Sequence, residues 1–285
     1  MSPARVALAT CAALPDLDED GARLVTALAA AGVSAEPAVC DDDRVRWDHY
    51  ALVIVRSTWD YTGRREEFLE WAAGVPSLDN PADVLAWNTD KRYLAGLADA
   101  GVPIVPTGFV APGEAFEVPA YEHVVKPTVS AGARDTERFA AGEDSTGHAL
   151  ALLGEGRSVM VQPYQRAVDT AGETALLWFG GELSHAARKA PVLDGGPRGG
   201  AVVTPAAATG AEVALARQVL AAVPFPGPLL YARVDLVPGA DGAPLLLELE
   251  VTEPSLFLGR AVGAADRFAA AVAARVATLS GSPQR

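Results

Sequence analysis

Tyr50-Ala51-Leu52-Val53-Ile54-Val55 is a run too apolar to be a strand with one wet face. Strands of that kind are buried on both sides, and they belong to parallel sheets covered by helices. Arg5-Val6-Ala7-Leu8-Ala9-Thr10 has the same character, and residues 33–39 read as a further strand. Between those two, residues 20–31 place Leu24, Leu28 and Ala31 at helical spacing. Acidic residues open that helix, where its dipole favours them, and Gly32 ends it. Strand, helix, strand, strand within the first 55 residues predicts an α/β lobe built on a parallel sheet.

The third strand runs into Arg56-Ser57-Thr58-Trp59-Asp60-Tyr61. Ligands of open parallel sheets bind beyond the carboxyl ends of strands, so this loop is a candidate site. Arg56, at the strand end, is expected to bind a carboxylate. Asp60 fits a ligand contact and the cap of a helix beginning near Arg64 equally well. Residues 64–74 and 82–100 read as helices, the second stopping at Gly101 with Pro103 beyond. Residues 102–110 read as an extended link to another lobe.

Beyond the link, residues 122–127 form a short strand feeding a loop of small residues, 128–136. Residues 158–161 form another strand leading to Gln162-Pro163-Tyr164. Residues 173–179 and 182–187 flank Gly180-Gly181 and predict a hairpin. The stretch 191–200, with four glycines and two prolines, is expected to be mobile. A helix at 211–222, strands at 229–237 and 245–251 around Asp241-Gly242, a closing helix at 261–279 and a tail at 280–285 complete the chain. The apolar stripe on 261–279 fits core packing first and a homodimer face second.

Half of the 285 residues are hydrophobic and 21% are charged, enough to build a core in two or three lobes. The formal net charge of −13 argues against a nucleic-acid partner, which calls for a basic face. It does not argue against a small anion held by a local cluster of cations. Cys11 and Cys40 make neither a disulfide framework nor a zinc set. No signal peptide and no membrane-spanning run is seen, and a cytoplasmic location is expected.

Three lysines stand against twenty arginines, and each lies in a segment that reads as part of a nucleotide site: Lys91, Lys126 and Lys189. A slim ammonium suits threading between phosphates better than a planar fork. Near the end, Tyr231-Ala232-Arg233-Val234-Asp235-Leu236 and Leu245-Leu246-Leu247-Glu248-Leu249-Glu250-Val251 are two apolar strands bearing charge at alternate positions. Alternation puts Arg233 with Asp235, and Glu248 with Glu250, on one face each. Paired in register, three carboxylates and a guanidinium converge. Carboxylates in strands this apolar are costly unless they meet cations, and hard oxygen ligands point to magnesium shared with phosphates. Alone, such a Glu-x-Glu strand fits an exposed hairpin equally well. The Ser130-Ala131-Gly132 loop is not a P-loop, but it follows Lys126 closely and its amides can close on phosphate oxygens.

This order of parts resembles the ATP-grasp superfamily of carboxylate–amine ligases over nearly the whole chain. The resemblance implies an ATP-grasp fold with α+β lobes: an N-terminal parallel-sheet lobe (1–88), a central lid lobe (89–190) and a C-terminal antiparallel-sheet lobe (191–285). It implies ATP and two Mg²⁺ ions as cofactors. Gln162 and Tyr164 would sit at the adenine, Glu173 or else Asp169 at the ribose, and Lys91, Lys126, Ser130, Ala131 and Gly132 at the phosphates. Asp235, Glu248 and Glu250 would hold metal, although many relatives carry asparagine at the last position. Arg233 and Lys189 would be catalytic. Arg56, Ser57, Thr58, Trp59, Asp60, His185 and Ser255 would contact a small amino-acid-like substrate, although a lone histidine at a strand end more often serves structure. Loops 128–147 and 191–201 would be lids. The Arg56–Tyr61 loop, Ser184-His185, Lys189 and Glu253-Pro254-Ser255 resemble the subgroup that cyclises O-ureidoserine. A ligase joining an amino acid to another amine, a kinase-like phosphoryl transfer and a non-catalytic nucleotide-binding module are the competing readings.

Overall fold

β1 (Arg5–Thr10), α1 (Glu19–Ala30), β2 (Ser34–Val39) and β3 (Leu52–Ser57) form the expected parallel sheet, in the order β2-β1-β3. The structure, a computed structural model, describes residues 4–191 and 202–281. All six residues of β3 are buried, as its composition demands. Asp18 caps α1 by accepting the Gly21 N–H at 2.9 Å. Leu24 and Leu28 of α1 are wholly buried against the sheet. Burial of side chains of this size is worth about 1.5–3 kcal/mol each.

α2 (Arg65–Gly74) follows, then α3 (Ala82–Asn88) and α4 (Tyr93–Asp99). The single helix expected over 82–100 is therefore broken at residues 89–92. Side-chain and tertiary bonds replace the helical ladder there: the Lys91 N–H donates to the Thr128 carbonyl at 2.9 Å, and Asp90 accepts the Arg92 N–H at 3.1 Å. Residues 102–110 are not a plain link either. Pro103 and Val105 exchange backbone bonds with Leu246 on the end strand of the last sheet, the Val105 N–H donating to Leu246 O and the Leu246 N–H to Pro103 O.

β4 (Gly108–Val110), β5 (His123–Pro127), β6 (Glu137–Phe139) and β7 (Val159–Pro163) make a four-stranded antiparallel sheet ordered β4-β7-β5-β6. α5 (Thr146–Gly154) covers it, packing Ala149, Leu152 and Leu153 on Val125, Val159 and Val161. The stretch 128–147, expected as loop, thus contains β6 and the start of α5. A short α6 (Val168–Ala171) leads to the last sheet.

That sheet has the order β10-β9-β8-β11-β12, from β8 (Glu173–Phe179), β9 (Glu182–Lys189), β10 (Val203–Ala206), β11 (Tyr231–Pro238) and β12 (Pro244–Glu250). The division expected at residue 190 falls between β9 and β10, neighbouring strands of this one sheet. The predicted hairpin turns at Gly180 and Gly181, whose φ values of 59° and 88° suit glycine. Alternation sends Ala175, Leu177, Phe179 and Tyr231 to the core under α8 (Ala264–Gly281), and Leu176, Trp178, Ala232 and Val234 to the core under α7 (Gly210–Ala221). Phe268, Val272 and Val276 of α8 are buried in the first of these cores, so the stripe on that helix is core. Residues 192–201, and with them nearly all of the segment expected to be a mobile lid, lie outside the described residues, as do 282–285 of the tail.

Candidate active site

β11 and β12 pair with Arg233 opposite Glu250 and Asp235 opposite Glu248, the register that puts all four side chains on one face. Arg233, Glu248 and Glu250 open on a cleft of about 1060 Å³ whose walls come from the central sheet and the last sheet, and Asp235 lies buried behind them. Lys126, Gly132, Gln162, Lys189, Glu248 and Ser255 are among its lining residues.

The charges in this cleft form a chain of ion pairs. Lys189 Nζ lies 2.6 Å from Glu173 and 2.9 Å from Asp235. Arg233 Nε donates to Asp235 Oδ1 at 2.9 Å, and its Nη2 is bonded to Glu250 Oε1. Lys91 Nζ lies 3.1 Å from Glu248 and donates to the Ser130 carbonyl at 2.7 Å. The break between α3 and α4 is what lets Lys91 reach both groups. Burial opposes ionisation of Asp235, 1% exposed, yet Arg233 and Lys189 hold its carboxyl below the usual range. Burial opposes ionisation of Glu248 too, and Lys91 and Lys126 hold it down. Burial pushes Glu250 up to about 7, with the Glu248 and Asp235 charges adding to the rise and Arg233 opposing it. Burial lowers Lys126, whereas Asp235 and Glu173 hold Lys189 above the ordinary lysine range despite burial.

The three carboxylates expected to hold metal therefore share a face, but each is already paired with a side-chain cation. Among the described residues no three His, Cys, Asp or Glu side chains form a ready metal cage. The donor set still fits magnesium, which keeps waters and is commonly held by one or two carboxylates together with substrate phosphates. Glu250, raised by burial and further by its like-charged neighbours, marks a place where added positive charge would be stabilising.

The nucleotide-side residues line the same cleft. Gln162, 3% exposed, donates to Thr107 Oγ1 at 2.9 Å. Tyr164 holds its N–H on the Glu122 carbonyl, lies under the Arg138 guanidinium, and bonds through its hydroxyl to Asp169. Asp169 is thus engaged, whereas Glu173 faces the cleft beside Lys189. In the small-residue loop Gly132, Ala133 and Asp135 all take left-handed backbone, with φ of 64°, 56° and 56°.

The loop after β3 corrects part of the sequence reading. Arg56 is 1% exposed, and its Nη2 donates to the Pro254 carbonyl at 2.8 Å. It holds a loop of the protein rather than a ligand's carboxylate. Ser57 and Thr58 are fully buried, Ser57 beside Asp18, and Asp60 is paired with Arg64 at 2.8 Å. Asp60 caps no helix: α2 has no side-chain cap. His185 is buried between Ser184 and the Leu256 carbonyl and lines no part of the cleft; burial lowers its basicity. Trp59 and Ser255 do line the cleft.

Several residues that shape the site carry no signal of their own in the sequence. Asn88, just before Lys91, bonds through its side chain to Leu249 of β12 and to Val251 just beyond it. Asp20, on α1, accepts the N–H groups of Leu256, Phe257 and Leu258 at 2.8, 2.7 and 2.8 Å. Those bonds steady Phe257, a left-handed residue at φ 52° whose ring lies under Arg233 in the cleft. Tyr61 and Glu253 also face the cleft. The Arg56–Tyr61 loop and the Glu253-Pro254-Ser255 run are the hints the sequence offers for these last two.

A sheet lobe followed by two antiparallel sheets enclosing lysines and strand carboxylates defines an ATP-grasp ligase. The same fold is found in D-alanine–D-alanine ligase from Bacillus anthracis (TM-score 0.66, 12% identity, 97% of this chain and 98% of that one). It is also found in the ATP-grasp ligase PsnB solved with minimal precursor, Mg and ADP (TM-score 0.63, 19% identity, 95% and 97%). Residues 6–83 match the family profile described as D-cycloserine synthetase DcsG, N-terminal domain. The cycloserine biosynthesis protein DcsG of Streptomyces lavendulae is 38% identical over 95% of this chain and 98% of its own length. The crystal structure of D-cycloserine synthetase DcsG superposes with a TM-score of 0.88 at 37% identity, over 95% of this chain and 99% of that one. The chain belongs to the cycloserine synthetase family of ATP-dependent ligases. No helix among the described residues is long and apolar enough to cross a membrane.

Proposed function

We propose that the chain uses MgATP to activate the carboxylate of O-ureido-D-serine and closes it to D-cycloserine. The observation that carries this reading is the Lys189–Asp235–Arg233–Glu250 chain at the floor of a cleft lined by Lys126 and the residue 130–136 loop. The full-length kinship to the Streptomyces lavendulae protein supports the substrate.

A carboxylate is a poor acyl donor, and phosphorylation gives it a good leaving group. Gln162 and Tyr164, which line the cleft, would read the adenine edge at the hinge, and Glu173 would take the ribose hydroxyls. Lys91 and Lys126, with the left-handed loop at Gly132, cradle phosphates. Asp235, Glu248 and Glu250 would hold Mg²⁺, which neutralises charge on the transferring group. Arg233 offers its guanidinium to the oxyanion that forms when a nitrogen attacks the acyl phosphate. In ring closure that nitrogen is the ureido N–H bonded to oxygen in the same molecule. Its proton and the phosphate depart, and its carbamoyl group is lost to water.

The test is ADP release from MgATP and O-ureido-D-serine with mass analysis of the product. ADP formed with D-cycloserine supports the reading. Binding of MgATP without turnover of this substrate, by a protein that turns over another amino acid and amine, overturns it. Asp235→Asn should slow turnover by about 10²–10³-fold, the usual effect of removing one preorganised charge from such a site.

A further inference from the structure

Three consecutive carbonyls after the carboxylate strand are each held by a side chain from elsewhere. The Glu253 carbonyl accepts from Trp59 Nε1 at 3.1 Å, the Pro254 carbonyl from Arg56 Nη2 at 2.8 Å, and the Ser255 carbonyl from Arg233 Nη1 at 3.1 Å. The next three N–H groups go to Asp20. A surface turn needs no such restraint. Six bonds on six residues fix the direction of one side chain in particular, Glu253, which lines the cleft beside Trp59 and Tyr61.

Glu253 is 7% exposed, and among the described residues it forms no ion pair, unlike Glu173, Asp235, Glu248 and Glu250. The ring of Tyr61, itself 4% exposed, is its neighbour in the lining of the cleft. Buried carboxylates without a cation are costly, and they mark places where a charge arrives with a ligand.

We infer that Glu253, with Tyr61 beside it, is the receptor for the substrate's amino group, and that the Arg56–Tyr61 loop exists to hold it there. The inference rests on the function proposed above and names the element that makes the site selective for an amino acid over a plain carboxylic acid. A carboxylate and a phenolic oxygen are both acceptors, matched to an ammonium with three donors. The neighbouring cations Arg233 and Lys91 serve the anionic end, so the two ends of an amino acid are told apart. Burial, and after it the Glu250 charge, push Glu253 up to about 8, so at neutral pH the side chain is a neutral acid that an arriving ammonium would ionise.

The test compares O-ureido-D-serine with its analogue lacking the amino group, on the wild-type protein and on Glu253→Gln. Glutamine keeps the shape and the neutrality of the empty pocket, and unchanged MgATP affinity reports an intact fold. Wild type should favour the amino substrate about 50-fold in kcat/KM, within the range for a hydrogen bond to a charged group. The variant should lose most of that preference through KM, and Tyr61→Phe should lose part of it. A variant that retains the full preference, or that loses kcat with KM unchanged, overturns the inference. Should wild type turn over neither compound, the substrate reading fails separately, and calorimetry with D-serine and 3-hydroxypropionate decides this one. Preference for the amine in wild type alone sustains it; equal binding by both proteins ends it.

Discussion

Asn88 and Leu249 lie 161 residues apart in the chain and are joined by a 2.8 Å hydrogen bond from the Asn88 side chain to the Leu249 carbonyl. The same amide accepts from the Val251 N–H at 2.9 Å and from Thr252 Oγ1 at 3.1 Å. One side chain thereby fixes the end of β12, where Glu248 and Glu250 sit, against the turn that carries Lys91.

Asn88→Ala is predicted to cost about 3 kcal/mol, because it leaves buried backbone and hydroxyl groups without partners. Urea unfolding should show a lower midpoint, and ligase turnover should fall at least tenfold because two site elements lose their common anchor. Unchanged turnover in a folded variant would show that Lys91 and Glu248 are placed by other contacts.

Lys189→Arg is predicted to lose activity even though charge is conserved. Nζ sits 2.6 Å from Glu173 and 2.9 Å from Asp235 in a half-buried slot, and a planar fork cannot enter it in the same way. We expect a drop of about 10²-fold in kcat/KM, near the loss on removing a positioned charge. Activity within threefold of wild type would mean that the site does not depend on the slim stem.

The pH dependence of the free protein follows from Glu253. Its folded carboxyl is raised to about 8 against 4.5 for an ordinary glutamate, so folding takes up a proton there. That contribution is complete below the ordinary value and is lost as pH rises through the folded one. The Glu253 contribution to the melting temperature without ligands should decline between about pH 4.5 and 8, and Glu253→Gln should decline less over that range. Parallel curves for the two proteins would count against a buried neutral acid at this position.

Thr209→Ala serves as a contrast far from the chemistry. Thr209 and Glu212 form a reciprocal capping box at the start of α7, and Thr174 donates to Glu212 at 2.5 Å. Loss of the cap should cost about 1 kcal/mol and leave turnover unchanged. A change in turnover would reveal coupling between α7 and the cleft.

Much of this site was legible in the sequence because alternation on strands is strict. Period two put Arg233 with Asp235 and Glu248 with Glu250, and the observed register of β11 and β12 brings the two pairs onto one face. The Gly180-Gly181 hairpin was equally plain, since only one backbone geometry suits it. What stayed hidden depended on contacts between distant segments. The helical pattern over 82–100 is locally sound, and only bonds to Thr128 and β12 break it at the residue that matters. Arg56 has the chemistry of a carboxylate receptor, and nothing local says that Pro254 will occupy it. The ion pairing of the carboxylates with Lys91, Lys189 and Arg233 was likewise invisible until the strands were placed side by side.

The six restrained residues from Glu253 to Leu258 take their partners from Asp20, Arg56, Trp59 and Arg233, spread over more than two hundred positions of the chain. On the proposed role of Glu253, substrate choice in this chain is written jointly in the first lobe and in the turn after the last strand. Grafting the first lobe of a relative onto this chain would transplant half of a lock. A change of substrate by inheritance or by engineering requires both segments to be exchanged together.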